Sequence, residues 1–162
     1  MNGTIREVAP EVDANALLSG AQFVDAFRVE IGTAQVNARE ACTRMVLHGP
    51  RWIDTLLRLR NVLVTPFGLK TSGEGEPAPG GLIGLFPVLS ETPERLVAGF
   101  DDSHLDFRIV VDVTGAAASR RVTSTTLVRT HNLLGRTYLT LIMPFHKLVA
   151  RSMLRGIVEP AR

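Results

Sequence analysis

Residues Ser103–Val113, SHLDFRIVVDV, alternate so strictly that the backbone has one regular choice. Leu105, Phe107, Ile109, Val111 and Val113 share one parity, while His104, Asp106, Arg108 and Asp112 share the other, with Val110 among them. A β-strand points successive side chains to opposite faces and so sorts these two sets. One face must therefore meet a core or a cavity. The other gathers a histidine, a carboxylate and an arginine within five residues.

The neighbouring runs have the same character. LIGLFPVLSET, RLVAGFDD and RRVTSTTLVRT are strand-like, and ETPE, DDSH and GAAAS supply the turns between the four runs. An earlier strand is expected at FVDAFRVEI, Phe23–Ile31, between Gly20 and Gly32. NAREACTRMVLHG predicts a helix with Ala38, Ala41, Cys42 and Met45 on one side. Asn37 is its N-cap, Glu40 stands at capping-box spacing, and Gly49-Pro50 stops it. A second helix is expected from Arg51, with Trp52, Leu56, Leu59 and Leu63 as a core stripe and Pro66 and Gly68 at its end. Thr71–Gly81, TSGEGEPAPGG, has no apolar anchor and reads as a mobile loop. The chain closes with a long helix that Asn132 caps. Leu139, Ile142, Phe145, Val149 and Met153 form its apolar stripe, and Pro144 is expected to kink or split it.

That order predicts an α+β fold of the helix-grip type, with an antiparallel, curved sheet covered by the last helix. The 162 residues fit one domain, 1–162, whose first twenty residues are poorly defined. A chain of this length buries roughly 70% of its unfolded surface and needs no metal or disulfide to hold it together. Cys42 is the only cysteine, so a reducing, cytoplasmic setting is expected. The N-terminus has no basic start followed by an apolar run, and LIGLFPVL is too short to span a bilayer. A net charge of +2 without aromatic interleaving argues against nucleic acid as a partner.

PRWIDTLLRLRNVLVTPFGLK, FDDSHLDFR and VRTHNLLGRTYLTLIMPFHKLVARSML, in this order, resemble the bacterial domain-of-unknown-function family 2867. The resemblance runs from about Phe23 onward. That family is in turn similar to the START-like, polyketide-cyclase-like (SRPBCC) superfamily. The resemblance implies a helix-grip fold around an apolar cavity and a small apolar ligand or biosynthetic intermediate as partner. It implies no particular reaction, because fold alone does not fix function.

The candidate site follows from strand register. With Phe107 opposite Val128, Val113 meets Val122, Asp106 faces Arg129 and His104 faces His131. His104, Asp106, Arg129 and His131 are then candidate catalytic residues. A histidine oriented by Asp106 would act as general acid or base, and Arg129 would polarise a carbonyl. Cross-strand pairs that only stabilise the sheet explain the same pattern. Phe107, Ser124, Thr126, Val128, Tyr138, Ile142 and His146 are candidate ligand contacts, the hydroxyls serving an otherwise apolar surround. No HExxH, CxxC, GxSxG or phosphate-cradling motif is present, so no metal or cofactor is expected. The expected function is cofactor-independent acid–base cyclisation, dehydration or isomerisation of an apolar carbonyl compound. A non-catalytic binder or carrier is the alternative. A helix-face homodimer is compatible with the sequence, which does not decide it.

Overall fold

In the computed structural model the described residues are 3–49, 51–52, 54–55, 58, 65–67, 80–84 and 86–159. They form an α+β structure. The strands are β1 (Arg6–Val8), β2 (Phe23–Gly32), β3 (Leu82–Ile83), β4 (Phe86–Glu91), β5 (Arg95–Asp101), β6 (Leu105–Thr114) and β7 (Arg120–Thr130). They build one antiparallel seven-stranded sheet in the order β1-β2-β7-β6-β5-β4-β3. A short helix, α1 (Ala14–Leu17), precedes β2. A longer helix, α2 (Ala38–Leu47), follows β2, and α3 (Leu133–Val158) ends the fold.

The centre of the sheet has the register that the alternation demands. Phe107 pairs with Val128, Asp106 with Arg129 and Val113 with Val122. The His131 N–H donates to the His104 carbonyl at 3.0 Å, which continues the ladder past the strand ends. Across β5, β6, β7 and β2 the pairing makes rows. Phe100, Phe107, Val128 and Phe23 stand in one, and Ala98, Ile109, Thr126 and Asp25 in the next. Leu96, Val111, Ser124 and Phe27 follow. These rows face α2 and α3. The main core collects Phe27, Val29, Val111 and Val122 from the sheet, Cys42 and Met45 from α2, and Leu154 and Ile157 from α3.

The opposite face carries a smaller cluster. Val97, Val110 and Leu127 lie beneath Leu18, with Leu17 and Val12 beside them. Among residues 3–20, β1 and α1 have definite structure. The signal there is short because β1 has three residues and α1 four. Asp13 caps α1 by accepting from the Ala16 N–H at 3.1 Å. Around that cluster this face is polar, with Arg95 bonded to Asp112 at 2.6 Å and Arg28 to Glu11 at 2.7 Å.

Helix α2 forms where its pattern predicts. Asn37 Oδ1 accepts from the Glu40 N–H at 2.8 Å, and Ala38, Ala41, Cys42 and Met45 are the buried positions. Four expectations need correction. The run LIGLFPVLSET is two strands, because Gly84 at φ +58° turns the chain between β3 and β4. Trp52 is exposed at 36%, not core. The other members of its stripe, Leu56, Leu59 and Leu63, lie outside the described residues, as does most of the Gly-Pro loop (71–79). Finally, α3 is not split at Pro144. It runs as one helix from Leu133 to Val158 because both ends are seated on the rest of the fold, Gly135 at one end and Leu154 and Ile157 at the other. Phe145 does not join the buried stripe. It is 54% exposed, and the neighbouring His146 turns to the sheet in its place. Among the described residues no helix is long and apolar enough to cross a membrane.

The start of α3 depends on a close approach. A Cβ at Gly135 would fall well inside contact distance of the His104 carbonyl oxygen. In an ordinary helix interior alanine is favoured over glycine by about 1 kcal/mol. Here Gly135→Ala is expected to reverse that sign and destabilise by about 1–3 kcal/mol, seen as a lowered urea midpoint. An unchanged or higher midpoint would mean the helix is not seated on that carbonyl.

Burial pushes the Cys42 thiol up to about 11 from its ordinary 9.0. Ionisation is thus easier in the unfolded chain. The stability tied to the protonated thiol is complete below pH 9 and is lost as pH rises through about 11, an effect of about 3 kcal/mol at most. Unfolding free energy should therefore fall more steeply between pH 8 and pH 10.5 in the native protein than in Cys42→Ala.

Candidate functional site

The sequence places one acid on an apolar parity. In β2 the residues facing the helices are Phe23, Asp25, Phe27, Val29 and Ile31. Asp25 is only 8% exposed. A carboxylate buried there needs a partner, because desolvating an unpaired charge is costly. The partner is His146 on α3, whose Nε2 lies 3.0 Å from both Asp25 oxygens. The imidazole is half-buried and meets the Phe23 ring edge-on, at 5.6 Å between centroids and an interplanar angle of 90°.

This pair clamps the first half of α3 to the sheet. The clamp matters because that half has little other burial. Gly135 is its one fully buried position up to Val149, whereas Ala150, Ser152, Leu154, Gly156 and Ile157 are buried beyond it. Leu139, Ile142 and Val149 are half-buried above the sheet. Thr126 is the β-ladder partner of Asp25, and Ser124 stands one row further on. Both hydroxyl residues are buried on the helix side. Phe107 and Val128 form the row on the other side of the pair, with Phe107 half-buried.

With Asp25 accepting, Nε2 carries the imidazole proton and Nδ1 keeps the lone pair. A ring held in that way can take a proton at Nδ1, and the carboxylate stabilises the imidazolium that results. The arrangement therefore has the parts of a general base, with two hydroxyls in the neighbouring positions of the same face.

The four residues expected to be catalytic do not converge. Asp106 and His131 do meet, Nε2 to Oδ1 at 2.9 Å, but on the sheet face opposite to Asp25 and His146. Arg129 turns away and donates to the Ser19 carbonyl at 3.2 Å. His104 is fully buried. Its Nδ1 stands 3.5 Å from Asp102 Oδ2, and its ring meets Tyr138 edge-on at 5.7 Å. The register was right and the cluster was not, because His104 precedes β6 and turns toward α3 while Asp106 stays in the strand. Tyr138 thus faces His104 and not the Asp25–His146 pair. Asp25 itself was overlooked, although an acid within the alternation of FVDAFRVEI was the signal that marks it. Among the described residues no three of His, Cys, Asp and Glu come together as a metal site would require.

The model of the family described as "Protein of unknown function (DUF2867)" matches residues 17–153. The chain belongs to that family. No curated protein matches it.

The tautomer can be checked directly. In long-range ¹H–¹⁵N correlation spectra at a pH where the ring is neutral, His146 should show its proton on Nε2. Asp25→Asn should weaken that preference. A proton on Nδ1 in the native protein would show that Asp25 does not set the tautomer.

Proposed function

For this member of the DUF2867 family we propose a cofactor-independent acid–base function on a small apolar carbonyl compound. The ligand lies between the helix-side face of the sheet and the first half of α3. The observation that supports the reading is the pairing of His146 with a carboxylate buried among apolar residues, 3.0 Å to each oxygen. The proposal moves the acid–base role from His104 and His131 to His146, because His146 lies at hydrogen-bond distance from a carboxylate in the strand face that α3 covers, while His131 meets Asp106 on the opposite face and His104 stands 3.5 Å from Asp102 before β6.

In this scheme Asp25 holds Nε2–H, and Nδ1 removes a proton from the carbon next to the carbonyl. The electron pair of that C–H bond moves into an enolate. Ser124 or Thr126 donates a hydrogen bond to the enolate oxygen, which localises charge more effectively away from bulk water. The imidazolium returns the proton at another carbon, giving isomerisation, or to a departing hydroxyl, giving dehydration. Cyclisation of a polyketide-like intermediate uses the same enolate as a carbon nucleophile. A START-like, helix-grip placement with an apolar cavity, and a cytoplasmic location for a chain with one cysteine, belong to the same proposal.

Proton exchange on 2-tetralone, an apolar ketone with activated carbon-bound hydrogens, tests the scheme. In deuterated buffer the native protein should accelerate loss of the C1 proton signal. His146→Gln should slow the catalysed exchange by about 10²–10⁴-fold, the usual range for a positioned general base. Asp25→Asn should slow it as well, with the fold intact by circular dichroism. Binding of the ketone without accelerated exchange would remove the catalytic reading and leave a binder or carrier.

A further inference from the structure

Building on the site proposed above, we infer that its ligand carries a flat, unsaturated ring system with a hydroxyl or carbonyl directed at His146. Three strands deliver phenyl rings to one end of the helix-side face: Phe86 from β4, Phe100 from β5 and Phe107 from β6. The Phe86 and Phe107 centroids are 5.8 Å apart with planes 33° from each other. Phe100 and Phe107 are 5.7 Å apart at 31°. All three are half-buried. Phe86 and Phe107 border the main core, which on this face is built mostly of branched aliphatic chains, among them Val29, Ile31, Val111, Val113 and Val122.

Space filling alone does not call for this division, because aliphatic chains bury apolar area equally well. Rings add a directional preference, since their quadrupoles favour offset stacking or edge contact with another ring. Phe107 shares its row with Val128 and Phe23, and the Phe23 ring in turn touches His146. A ring system laid on Phe107 along that row would reach toward the imidazole. The next row holds Thr126 and Asp25, so the polar group of such a ligand meets hydrogen-bonding partners while its body stays on hydrocarbon.

Two probes with one carbon skeleton test the inference: 2-naphthol and decahydro-2-naphthol. Both carry one hydroxyl, and the saturated alcohol is the more apolar, so hydrophobic burial alone favours it. Titration calorimetry on the full chain should find 2-naphthol binding about fivefold or more tightly, the size of an aromatic pair preference. Phe107→Leu should bring the ratio close to one with little change for the saturated alcohol, which separates ring stacking from the stronger O–H of the phenol. Phe86→Leu serves as a second variant should Phe107→Leu not fold. Equal or tighter binding of the saturated alcohol, lost in His146→Ala, overturns the ring preference and keeps the site. A ratio that survives both phenylalanine changes also overturns it. Binding of neither probe overturns the site together with the inference.

Discussion

Everything in this fold depends on the pairing of β6 with β7. Ten consecutive positions, from Leu105–Thr130 to Thr114–Arg121, are matched without a shift. A side-chain period of two makes that register all-or-none. One residue of slip would present Asp106, Arg108 and Asp112 to the core and Phe107, Ile109 and Val111 to the outside. Bulges do occur in this sheet, but away from the central pair: near Gly32 in β2 and between Val88 and Ser90 of β4. The centre stays regular, and irregularity is confined to the flanks, where it costs least.

Given that register, the two faces behave differently. The helix side is covered in two ways along α3. Its second half packs on the sheet and α2 with small and aliphatic residues, and Gly156 lets it lie close to the end of α2. Its first half is held chiefly by specific contacts: the Gly135 seat, the His146–Asp25 pair and a bond from Lys147 to Glu7 of β1 at 2.9 Å. Polar contacts hold where apolar burial is thin. That contrast is why the ligand site is proposed beneath this part of α3.

Much of the fold was legible in the sequence because strict patterns leave few alternatives. The β6–β7 alternation, the α2 stripe and the caps at Asn37 and Asn132 are local signals that tertiary structure had no cause to override. The elements that were missed are short. Three residues of β1 and four of α1 carry too little periodicity to be seen. The site was less legible for a different reason. Register predicts which residues stand opposite one another, but not where a side chain beyond the last ladder position turns, so His104 was assigned to the wrong neighbours. On α3 one member of the expected stripe was misplaced: Phe145 is outward, while His146, expected as a ligand contact, is inward and paired with Asp25. A buried acid on an apolar parity was the clue to that pairing.

An open sheet has two borders, and here, among the described residues, they are its shortest strands, β1 with three residues and β3 with two. The long strands β2, β6 and β7, each with ten or eleven residues, all have neighbours on both sides. Each border strand covers part of its neighbour, β1 lying along Ala26–Arg28 of β2 and β3 along Phe86 and Pro87 of β4, and on β1 the side chains of Arg6 and Glu7 are already bonded to Glu30 and Lys147. The order of strands thus keeps the longest ladder, β6 with β7, away from the borders, where exposed β-ladders recruit further copies.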